Sequence, residues 1–149
     1  MVISRLSLFQ PMSMTEPELD STASVTLVVA TSDLASTLSA DPLDDFPPVF
    51  ATSRMIALME LAAAKLLRAC QGPGELSVGV TVDITHSAAT PAGVEVKATA
   101  RYTGREGKLF VFEVVAHDPG GEIGRGVHKR AIISRERLMF GATRRNPSA

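Results

Sequence analysis

The spacing of hydrophobic positions changes several times along the chain, and each change marks an element. Val25 to Ala30 is a short β-branched run and predicts a strand. Thr31 to Pro48 has no period and is rich in Ser, Asp and Pro. Pro42, Pro47 and Pro48 forbid a regular helix or a central strand there, so a loop is expected, with Leu43 and Phe46 available to fold over a pocket. From Thr52 to about Cys70 a dense apolar run predicts the one strong helix. Thr52 or Ser53 can serve as its N-cap, and Gly72-Pro73-Gly74 stops it. Beyond that the period falls to two. Ser77 to His86 alternates Val78, Val80, Val82 and Ile84 on one face, and Gly93 to Thr103 alternates Val94, Val96, Ala98 and Ala100. Gly104 to Gly107 predicts a turn, Lys108 to Asp118 a nearly continuous apolar strand, and Pro119-Gly120-Gly121 a second turn. Glu122 to Ser134 is the last long strand, where Gly124 and Gly126 predict a bulge or a close backbone approach.

The resulting order is strand, loop, long helix, then four strands joined by hairpin turns. It predicts an α+β fold, one long helix against a mainly antiparallel five-stranded sheet. The sheet would cover the helix on one face. Its other face and its edge need cover too, which points to a homodimer or a higher oligomer. Residues 1–23 are expected as a loose arm, 24–140 as a single domain and 141–149 as a flexible tail.

Composition narrows the function classes. A chain of 149 residues suits one domain with a real core. The formal net charge is −1, without the concentrated Lys and Arg of a phosphate-binding face, so nucleic acid is not an expected partner. Arg135, Arg137, Arg144 and Arg145 read as a solvated tail. No stretch approaches the roughly 20 apolar residues of a membrane span, so no membrane partner is expected. Met1 to Phe9 lacks the apolar region and cleavage site of a signal peptide. The single Cys70 excludes an intrachain disulfide and fits a cytoplasmic setting. Near the helix end, it reads as a small buried hydrophobe. Three His and one Cys offer no familiar metal-ligand spacing, so no metal is expected.

The best lead to chemistry is Glu60, the one polar side chain in the run Met55 to Ala64. An ionised carboxylate among Met, Leu and Ile must be paired, hydrated in a cleft or shifted in pKa. At about 100° per residue, Arg54, Lys65 and Arg68 form one stripe roughly 60° wide, and Glu60 lies about 110° from its centre. Glu60 therefore does not belong to the wet face of the helix.

Several segments together resemble one family. They are Phe46-Pro47-Pro48-Val49-Phe50-Ala51-Thr52, the helix through Leu58-Met59-Glu60, and Thr85-His86-Ser87-Ala88-Ala89-Thr90-Pro91. Ala116-His117-Asp118, Glu122-Ile123-Gly124 and Gly126-Val127-His128-Lys129-Arg130-Ala131 complete the set. In order and spacing, from about Phe46 to Ile133, they resemble the fluoroacetyl-CoA thioesterase family of hotdog-fold acyl-CoA thioesterases. The resemblance implies a sheet wrapped around a central helix, a pocket at or near a subunit interface, and hydrolysis of a short or small acyl-CoA. It implies a catalytic threonine, glutamate and histidine at Thr52, Glu60 and His86. It also implies substrate contacts at Gly79 and Arg130 and lid residues at Leu43 and Phe46. Leu43 departs from the aromatic lid residue of the fluoroacetate-specific pattern, and Leu61 departs from an aromatic after the glutamate. No metal or redox cofactor is implied, and coenzyme A is part of the substrate.

Singly, these residues have plainer readings. Thr52 can be an N-cap, Glu60 a salt-bridge partner, His86 a strand-end hydrogen-bonding group and Gly79 a bulge. Arg130 can be a solvated or salt-bridged strand residue, and His117 and His128 read as structural. Two other functions use a similar chain: a hotdog enoyl-thioester hydratase or dehydratase, and a non-catalytic acyl-CoA-binding module.

Overall fold

The period-two half of the sequence becomes four long strands, and the apolar run becomes the helix they curl around. The computed structural model describes residues 15–148. Its strands are β1 (Thr22–Val28), β2 (Glu75–His86), β3 (Glu95–Glu106), β4 (Leu109–Asp118) and β5 (Gly121–Ser134). Its helices are α1 (Thr52–Leu67) and α2 (Arg135–Arg145), and a short 3₁₀ turn, Arg68–Cys70, extends α1. The strands form one sheet in the order β1-β3-β4-β5-β2, antiparallel at every pairing.

The core lies between this sheet and α1. β3 contributes Val96, Ala98, Ala100 and Tyr102, and β4 contributes Phe110, Phe112, Val114 and Ala116, all buried. The helix answers with Met55, Leu58, Met59, Ala62, Ala63 and Leu67. Its alanines let the backbone approach the sheet closely. This is the α+β, helix-in-sheet architecture that the periodicity predicts, and burial of its apolar face is the main force holding α1 in place.

The differences from the sequence expectation are local and physical. β1 begins at Thr22 and ends at Val28, set by pairing with Glu95 to Arg101 of β3. The β3–β4 hairpin closes at Gly107-Lys108, where Gly107 has φ of +60°, a left-handed conformation that glycine adopts without strain. Gly104 instead follows a bulge within the strand, between Tyr102 and Gly104. In β2 a second bulge, between Gly79 and Thr81, breaks the expected single face Val78, Val80, Val82, Ile84. Opposite the regularly alternating Arg130, His128, Gly126 and Gly124 of β5 now stand Gly79, Val82, Ile84 and His86. The bulge thus turns Gly79 and His86 to the same, helix-facing side.

At β5 the expected close approach is real. A Cβ on Gly124 would sit 2.7 Å from the Met55 sulfur, and one on Gly126 would sit 2.1 Å from the Asp83 carbonyl oxygen. The chain end also differs from expectation. Its basic residues are solvated as expected, but Arg135–Arg145 forms a helix, α2, because the Ser134 hydroxyl accepts the Arg137 amide as N-cap at 3.2 Å. Glu136 in the first turn and Arg144 and Arg145 in the last suit the helix dipole. Residues 1–14, most of the expected arm, lie outside the described residues. Residues 15–21 are tied to the sheet: Tyr102 donates its hydroxyl to Glu16 at 2.7 Å, and Asp20 pairs with Arg101.

Candidate active site

Thr52 occupies the first turn of α1, and the chain around it is pinned from three sides. The Ala51 amide donates to the Asp33 carbonyl at 2.9 Å, the Phe50 amide to the Thr90 carbonyl at 2.8 Å, and Val49 bridges to Pro91. The N-cap is Ala51, with no side-chain cap. The Thr52 hydroxyl is therefore not spent on capping. It lies 2.8 Å from Nδ1 of His86, the last residue of β2. The other ring nitrogen of His86, Nε2, is buried and has no hydrogen-bond partner among the described residues. A cavity of about 390 Å³ opens beside the pair, lined by Ala35, Val49, Phe50, Thr52, His86 and Ala88 among others. Among the described residues, the Thr52 and Ser53 amides have no backbone acceptor, as expected for the first turn of a helix.

Glu60 belongs to a second cluster, eight residues further along α1, or ~12 Å along its axis. Its Oε2 lies 3.6 Å from Nη1 of Arg130, an ion pair longer than a hydrogen bond. Arg130 is buried, while the Glu60 side chain keeps 40% of its surface exposed. Burial lowers the Arg130 guanidinium from its usual value and Glu60 opposes that shift. Gly79 makes room for the carboxylate: a Cβ there would meet Glu60 Oε1 at 2.7 Å. The Arg130 guanidinium is held by Ser77, from Nε to the hydroxyl at 3.2 Å and from Nη2 to the carbonyl at 3.1 Å. Its Nη1 also meets Nε2 of His128 at 3.2 Å.

The structure thus joins Thr52 to His86 and Glu60 to Gly79 and Arg130, but keeps the two groups apart within one chain. Leu43 and Phe46 reach neither. Leu43 is 89% exposed and Phe46 is 46% exposed, because the proline-rich loop holds them on the outside. Ser77 and His128 stand in the site without having been singled out by the sequence for it. The available signal was Gly124-x-Gly126-x-His128-x-Arg130 at period two, two glycines and two polar residues on one strand face. Cys70 lies elsewhere, beside Glu75, Arg105 and Phe110. Burial above all, then Glu16, pushes its thiol up, against thiolate chemistry.

The sequence profile of the fluoroacetyl-CoA-specific thioesterases matches residues 21–136. The chain belongs to this family. A curated relative, fluoroacetyl-CoA thioesterase of Streptantibioticus cattleyicolor, is 40% identical over 104 residues, 70% of this chain and 75% of the relative. Among solved structures, a threonine-to-alanine mutant of a fluoroacetyl-CoA thioesterase, in complex with fluoroacetate, superposes with a TM-score of 0.81. It is 33% identical over 87% of this chain and 99% of that one. A Thermus thermophilus member of the thioesterase superfamily gives a TM-score of 0.79 at 26% identity, covering 88% and 94%. As a member of the family, the chain is a hotdog-fold thioester hydrolase.

Proposed function

We propose that the protein hydrolyses a short or small acyl-CoA at a Thr52/Glu60/His86 site that two subunits complete together. The hydrogen bond between Thr52 and His86, beside the 390 Å³ cavity, is the observation that carries this reading. That volume is near the lower end for ligand pockets and suits a small acyl group. With Thr52 on Nδ1, the buried Nε2 of His86 is left to serve chemistry. In the proposed mechanism Glu60 takes the proton of the attacking water, the helix N-terminal amides receive the developing oxyanion, and His86 protonates the departing thiolate. Thr52 orients the imidazole. No metal or redox cofactor takes part, and coenzyme A enters with the substrate. The proposed setting is the cytoplasm, where a lone thiol such as Cys70 stays reduced.

The separation of Glu60 from His86 within one chain supports a shared site. β2 is a sheet edge of 12 residues, with Val80 and Val82 half-exposed. Such an edge calls for a partner. Antiparallel pairing of two β2 edges about the middle of the strand carries the His86 end of one toward the half of the other that contains Gly79 and abuts Glu60. A homodimer would then supply two sites.

The test is thiol release from acyl-CoAs of graded length and polarity, fluoroacetyl-CoA included, by wild type and Glu60→Gln. Wild type releases thiol, and the variant falls by about a hundredfold or more, as for loss of an acid–base group. Equal acyl-CoA binding with no thiol release by either protein would instead support the binding module. Hydration of an enoyl-CoA without thiol release would support the hydratase.

A further inference from the structure

His128 is almost wholly buried, with 1% of its surface exposed, on the helix-facing side of β5. Its Nδ1 lies 2.8 Å from the Thr81 carbonyl, just past the β2 bulge. A carbonyl only accepts, so Nδ1 must carry the ring proton. In the neutral ring Nε2 then has a lone pair, and the group facing it at 3.2 Å is Nη1 of Arg130, which only donates. That same Nη1 is the atom 3.6 Å from Glu60. Both ring nitrogens are thus used, one on the backbone of β2 and one on the cation that faces the site carboxylate. A histidine kept only to fill space has no need of the second contact.

We propose that His128 is a positioning residue of the thioester site: as the Nδ1–H tautomer it accepts from Arg130 and, with Ser77, fixes the guanidinium against Glu60. The inference rests on the reading of Glu60 as a site residue. The surroundings keep the ring neutral. Arg130 faces it from β5, Glu60 from α1, the Thr81 carbonyl from β2 and Phe112 from β4. Burial, the strongest influence, pushes the imidazole down, and Arg130 acts in the same direction, against the Thr81 carbonyl and Glu60. A proton on Nε2 would remove the acceptor and set two cations face to face.

Side-chain ¹⁵N NMR of the wild-type protein tests the tautomer without any variant. Nδ1 should be protonated and Nε2 bare across the pH range of measurable turnover. An Nε2–H tautomer or an imidazolium there overturns the proposal. Kinetics test the role. His128→Phe keeps a ring but cannot accept, and its kcat should fall about ten- to a hundredfold with KM little changed, as for a misplaced reacting group. His128→Gln keeps an acceptor carbonyl and should recover most of that loss. Equal kcat in wild type and His128→Phe, or equal losses in both variants, contradicts the proposal. If Glu60→Gln is inactive while His128→Phe turns over like wild type, only this inference fails. If Glu60→Gln itself turns over like wild type, the site reading beneath it fails.

Discussion

Glu60 lies against the sheet only because Gly79 has no side chain. A Cβ at Gly79 would press on the carboxylate oxygen, the far end of a flexible side chain that can swing away, and would come within 3.3 Å of the buried His128 ring. Gly79→Ala should therefore displace the carboxylate and lower kcat by about tenfold or more, with a modest stability cost where the methyl crowds the His128 ring. Paired denaturation and turnover measurements check this, and a large stability loss with unchanged kcat goes against it. Glu60 was legible in the sequence as a carboxylate in apolar surroundings. Its partner was not, because Arg130 meets it only through the β2–β5 pairing. His128 also has a measurable pH signature. Its folded-state pKa lies below the ordinary value of 6.5, so the unfolded chain binds the proton more readily. The stability from burying the neutral ring is full above about pH 6.5 and is lost as pH falls below that toward the folded-state value. Urea midpoints of the wild type should decline over that acidic window, and those of His128→Gln should decline less.

At the scale of elements, hydrophobic pattern and turn residues located α1 and the four later strands; α1, β3 and β4 each bury one face in the common core, whereas no residue of β2 is fully buried. The β2 bulge was marked by Gly79, read singly as a bulge, and it falls beside that residue, while the β3 bulge at Tyr102 to Gly104 lies where a turn was expected. A bulge moves one residue out of the ladder, here Val80, whereas alternation alone put Val80 on one face with Val78 and Val82. The consequence is geometric: the bulge puts Gly79 and His86 on the same side of the sheet. Capping was misjudged for a similar reason. Thr52 looks like an N-cap, yet its hydroxyl goes to His86, while Ser134 caps a helix the sequence presented as tail. The two threonine and serine positions should consequently respond in opposite ways. Ser134→Ala should cost about 1 kcal/mol of local stability in α2, read as faster amide exchange there, with turnover unaffected. Thr52→Ala should lower turnover while leaving exchange along α1 unchanged beyond its first turn. The reverse pattern would restore the capping reading of Thr52.

At the scale of the molecule, one chain holds the Thr52–His86 and Glu60–Arg130 clusters apart, with an open sheet edge between them. Thr52 and His86 sit at the end of β2, and Glu60 with Arg130 sits part-way along it. The resemblance of the sequence to its family named the residues but not their separation into two clusters, which follows from where they lie along α1 and β2. The strand order puts β2 at the edge, and this makes the shared site testable. The most direct measurement is complementation between two inactive proteins. Glu60→Gln retains Thr52 and His86, and His86→Ala retains Glu60. Unfolded together and refolded, they should form mixed dimers with one intact site. Random pairing predicts recovery of about a quarter of wild-type thiol release per protomer, since half the dimers are mixed and each has one working site of two. A mixture no more active than its parents would contradict a Thr52/Glu60/His86 site built from two subunits.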